Sequence, residues 1–85
     1  MEIIYNQKAL DDLAFWKQSG NTKIQKKISE LIEAIELNPF IGIGKPEALK
    51  YELSGKWSRR INQEHRIVYT VNAEIIKIYS LKDHY

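Results

Sequence analysis

With 85 residues, 44% of them hydrophobic and 28% charged, the chain reads as a single folded domain over 1–85, too small for a thick core and too apolar for a long disordered tail. It has no cysteine, which excludes disulfides, thiolate zinc sites and iron–sulfur clusters. Its formal charge of +2 is too small to argue for nucleic acid by itself, and no run approaches the roughly 20 apolar residues of a membrane span, so a cytoplasmic protein without a membrane partner is expected.

MEIIY predicts a short first strand, and Asn6 caps a helix whose apolar positions Leu10, Leu13 and Ala14 recur at helical spacing until Gly20 stops it. A second helix follows, with Thr22 and Gln25 as a capping box and Ile24, Ile28, Leu31, Ile32 and Ile35 as its apolar stripe, ending at Asn38 and Pro39. This helix carries Lys23, Lys26 and Lys27 first and Glu30, Glu33 and Glu36 last, the reverse of what its dipole favours. Local stability did not select that order, and contact of the lysines with a polyanion would.

The stretch NPFIGIGKPEALKYEL predicts a loop that ends in a short strand. GIGKP within it is no phosphate loop, because Pro46 stands where Ser or Thr should open a helix. Three strand-like runs follow, WSRRI, RIVYTV and EIIKIYSL, separated by the turn signals NQEH and NA. The pattern implies an α+β fold in which an N-terminal strand and a helical hairpin pack on a twisted antiparallel sheet.

Charge is unevenly spread along this frame. Residues 1–44 hold five lysines against six acids, whereas residues 45–66 hold six lysines and arginines against three acids. All three arginines, Arg59, Arg60 and Arg66, fall within eight residues. A local basic patch of this kind can hold phosphate on a nearly neutral chain. With two histidines, His65 and His84, no spacing suggests a metal site, and no cofactor is expected.

Cleavage of RNA by its own 2′-hydroxyl needs a base, an acid and cations around phosphorus. Glu47, His84, Arg66 and one of Arg59 and Arg60 supply those types, with Tyr51, Trp57 or Tyr85 available to stack on bases. Which arginine shares a face with Arg66 depends on the parity of the NQEH turn.

Read together, NPFIGIGKPEALKYELSGKWSRRINQEHRIVY and the final HY resemble the YoeB/Txe family of toxins in the RelE superfamily, a likeness that extends over nearly the whole chain. The resemblance implies the RelE-like, microbial ribonuclease-like fold. It also implies an endoribonuclease that cuts mRNA in the ribosomal A site and is silenced by a cognate antitoxin of the Phd/YefM kind. By the family's motif, Glu47 corresponds to the general base, Arg66 to the stabiliser of phosphate charge, His84 to the general acid, and Tyr85 to a functional terminal tyrosine. Lys50 and Arg60 match supporting basic positions. The family also suggests a homodimer, with DNA touched only through the antitoxin complex. Ala48 departs from the pattern, since many relatives have proline there, and Asp83 receives no role. Two other readings are a gyrase poison of the same fold and a small RNA-binding module.

Overall fold

The computed structural model describes residues 1–83, so the expectations for His84 and Tyr85 lie outside the described residues. Strand β1 spans Glu2–Tyr5, helix α1 Gln7–Ser19, helix α2 Thr22–Leu37, β2 Glu47–Ala48, β3 Trp57–Arg60, β4 Arg66–Asn72 and β5 Ile75–Ser80, with one 3-10 turn at Tyr51–Leu53. The strands form one sheet in the order β1-β5-β4-β3-β2. The meander β3–β4–β5 is antiparallel, and β2 extends it antiparallel to β3. At the far edge β1 joins the sheet and runs parallel to β5, so the sheet is mixed rather than the wholly antiparallel one expected, because the helical hairpin carries the chain back across the sheet before it reaches the meander. Among the described residues no helix is long and apolar enough to cross a membrane.

The helix ends follow local chemistry. Asn6 has extended backbone and its side chain accepts from the Ala9 N–H, while Gly20 closes α1 at φ 73. For α2 the cap is Asn21, whose side-chain oxygen accepts from the Ile24 N–H at 3.1 Å. The capping box expected from Thr22 does not form. Thr22 already lies inside the helix, and the Gln25 amide donates to the Trp16 and Asn21 carbonyls instead.

One sheet face meets the helices. Ile24, Ile28, Leu31 and Ile35 of α2 pack there with Ile67, Tyr69, Ile76 and Ile78 of the sheet. On α1 the buried positions are Ala9, Asp12 and Trp16; of the expected Leu10, Leu13 and Ala14 only Leu13 packs, partly buried, against the core. Leu10 is instead 47% exposed. The expectation failed because a carboxylate sits on the inward face and dilutes its apolar signal. That carboxylate has work inside: Asp12 Oδ2 accepts from the Leu81 N–H at 2.9 Å and from Lys8 Nζ at 2.8 Å.

Arg59 is fully buried. Its Nε donates to Tyr69 Oη at 3.1 Å, Nη1 to the Ile43 carbonyl at 3.1 Å, and Nη2 to the carbonyls of Asn38 at 2.6 Å and Ile41 at 3.0 Å. Tyr69 Oη in turn donates to the Pro39 carbonyl at 2.6 Å. One guanidinium therefore organises the loop 38–43, whose backbone would otherwise present carbonyls with no partner. Gly44 completes the approach at φ 84, since a Cβ there would lie 2.6 Å from Leu31 Cδ2.

Candidate active site

Side chains alternate across a strand, so register decides which groups can act together. Glu47 pairs with Ser58, Arg60 pairs with Arg66, and Trp57 pairs with Tyr69. Glu47, Arg60 and Arg66 consequently share the sheet face turned away from the helices. Arg59 and Trp57 share the other. Two corrections follow: Arg59 is an interior residue with no reach to RNA, and Trp57 is no open stacking platform, because it packs against the core and against Phe40, with ring centroids 5.0 Å apart.

Arg60 and Arg66 stand directly opposite one another, an arrangement that repels in the absence of an anion and draws one in. Arg66 is half-buried, and its Nη1 is aimed by carbonyls of the turn before β4, donating to Asn62 at 2.9 Å, Gln63 at 3.3 Å and His65 at 3.2 Å. Asn62 shapes that turn by accepting from the N–H groups of Glu64 and His65. On the β2 side, Glu47 opens a shallow cleft of about 410 Å³ that continues through Lys50 to Leu53. Within it Tyr51 is 88% exposed, a ring available for stacking.

Lys23, Lys26 and Lys27 lie apart from the carboxylate. They line a separate depression with Asn21, Ile24, Glu30, Ile61 and Asn62, which places them beside the turn that aims Arg66. Among the described residues there is no cluster of three or more His, Cys, Asp or Glu able to hold a metal ion.

Two α1 residues and a turn residue that sequence reasoning left out of the site govern the segment leading to His84. Trp16 Nε1 donates to the Leu81 carbonyl at 2.9 Å, complementing the bond from the Leu81 N–H to Asp12. Beyond it, the Asp83 N–H donates to His65 Nδ1 at 2.8 Å, and the Asp83 carbonyl accepts from the Arg66 N–H at 3.2 Å. Asp83 adopts φ 72, a left-handed conformation that Asp tolerates better than most side chains. A signal for Asp12 was present in the sequence, since it lies three residues after Ala9 and four before Trp16, on one helix face.

Comparison with known proteins identifies the family and its fold. Residues 5–85 match the family model described as YoeB-like toxin of bacterial type II toxin-antitoxin system. The chain is 45% identical over 85 residues to Toxin YoeB of Escherichia coli K12, covering 100% of both. It superimposes with a TM-score of 0.90 on the YoeB-YefM complex from Staphylococcus aureus, at 49% identity over 100% of this chain and 98% of that one. The YoeB dimer from the same organism gives a TM-score of 0.90 at 48% identity, with the same coverage.

Proposed function

The chain belongs to the YoeB-like family of toxins of bacterial type II toxin–antitoxin systems, and from that premise we propose that it is a ribosome-dependent endoribonuclease that cuts mRNA in the A site. In this reading Glu47 removes the proton from a 2′-hydroxyl, and the freed oxygen attacks the adjacent phosphorus. The P–O5′ bond breaks, His84 protonates the departing 5′-oxygen, and a 2′,3′-cyclic phosphate remains. Arg66, with Arg60 opposite, balances the charge that grows on the phosphoryl oxygens. Tyr85, Lys50 and the exposed Tyr51 hold the strand by stacking and phosphate contact, and Lys23, Lys26 and Lys27 meet ribosomal RNA or an acidic antitoxin segment. The observation that carries the reading is the register that sets Glu47, Arg60 and Arg66 on one face of the sheet.

The partners follow from relatives. A YefM-like antitoxin would bind the toxin, as YefM binds YoeB in the Staphylococcus aureus complex, and neutralise it in the cytoplasm; self-association would follow the dimer of that relative. Contact with DNA would run through the antitoxin. Brief expression in bacteria followed by mapping of mRNA 5′ ends tests the activity: cuts at a fixed position within codons are expected. DNA damage without such cuts would transfer the assignment to a toxin that poisons gyrase by binding.

A further inference from the structure

We propose that His65 is a positioning residue for cleavage, holding Asp83 and so fixing the point from which the chain enters His84. The inference rests on the cleavage reading above and extends it to a residue outside the reacting groups. Three observations converge on it. The Asp83 N–H donates to His65 Nδ1 at 2.8 Å, the Asp83 carbonyl accepts from the backbone N–H of Arg66 at 3.2 Å, and the preceding Leu81 is held at both its N–H and its carbonyl by Asp12 and Trp16. The clamp ties the base of the His84 segment to the very residue proposed to hold phosphate charge. The His65 ring itself is fixed edge-on against Trp16, with centroids 4.9 Å apart and planes at 79°.

The bond dictates a protonation state. Nδ1 accepts only while the imidazole is neutral with its proton on Nε2; a second proton on Nδ1 sets two N–H groups against each other and opens the clamp. Among the described residues the charged neighbours of the ring are few. Glu64 Oε2 lies 3.9 Å from Nε2, and Arg66 reaches the His65 carbonyl at 3.2 Å. The Asp83 carboxylate lies 3.8 Å from Lys82 Nζ, and on α1 Asp12 is occupied by Lys8 and Leu81. The two histidines thus have opposite requirements: His84 acts as an acid when protonated, whereas His65 holds its partner when neutral.

Amide exchange of Asp83 followed by NMR, together with kcat and KM on mRNA-programmed ribosomes, tests this. In the wild type the Asp83 amide should be protected and should lose protection as His65 titrates. His65→Phe keeps a ring against Trp16 but has no acceptor; it should expose the amide and lower kcat by on the order of 10- to 100-fold with KM retained, the scale of a misplaced catalytic group. His65→Asn restores an acceptor at the Nδ1 position without a titrating ring; it should recover protection and most of kcat, and carry activity to lower pH than the wild type. A folded His65→Phe variant with wild-type kcat, an Asn variant as impaired as Phe, or a wild-type Asp83 amide indifferent to the titration of His65 would each overturn the inference. If the wild type cuts no ribosome-bound mRNA, the cleavage reading fails, and with it the catalytic part of the inference, while the amide titration still decides whether the clamp exists.

Discussion

Arg59 carries a permanent charge into the interior, where it is stable because three backbone carbonyls and a phenol share it. Its neighbour Arg60 points to the opposite face and is exposed. Arg59→Ala should therefore destabilise the fold by about 3–5 kcal/mol, the usual cost of breaking a buried charged network, in urea unfolding. Arg60→Ala should change stability by less than about 0.5 kcal/mol, as for most surface positions, yet slow cleavage. At the carboxylate, Glu47→Gln should leave the melting temperature close to wild type and lower the cleavage rate by about 10²- to 10⁴-fold, the range of a lost general base. The need for a carboxylate and guanidinium groups was legible in the residues themselves. The division of labour between two adjacent arginines was not, because it depends on a turn whose parity only the folded chain reveals.

At the scale of elements, the second helix shows how a local rule can be satisfied by the wrong residue. Both Asn21 and Thr22 are good caps, and the chain uses the first. Asn21→Ala should cost about 1 kcal/mol in thermal or urea unfolding, and Thr22→Ala clearly less. The apolar stripe of α2 was readable because its inward face is uniformly aliphatic. That of α1 was hidden by Asp12, whose partner Leu81 lies at the other end of the sequence. The lysines that open α2 remain against the dipole in the folded protein, which suits them to an acidic partner. Affinity for the antitoxin should accordingly fall as salt rises, and a salt-independent affinity would assign the binding to apolar contacts.

For the molecule as a whole, the Tyr69–Arg59 network ties stability to alkaline pH. Burial raises the Tyr69 hydroxyl above its ordinary value of 10.0, and the hydrogen bond and charge of Arg59 offset this only in part. Tyr5 is raised as well, by burial and then by Glu36. Because the folded value exceeds the unfolded one, this contribution is complete below about pH 10 and is lost as pH rises through the folded value. Melting temperature should therefore decline above that pH, and Tyr69→Phe should flatten the decline while lowering the plateau.

The parallel pairing of β1 with β5 has a consequence for the order of synthesis. Residues 2–5 find their strand partners at 75–78, and the side-chain ties of Asp12 and Trp16 to Leu81 span 69 and 65 positions. Such distant contacts form late, after the loop-closure entropy of nearly the whole chain has been overcome. A nascent chain still lacking β5 has no edge on which to lay β1 and leaves Asp12 with Lys8 but without the Leu81 N–H, so the sheet stays unfinished until residues 75–81 are available. Tethered chains stopped before residue 75 should be digested rapidly by protease. Chains extended past residue 83 by an inert tail should resist it, which would mean that the sheet closes only once β5 can pair with β1.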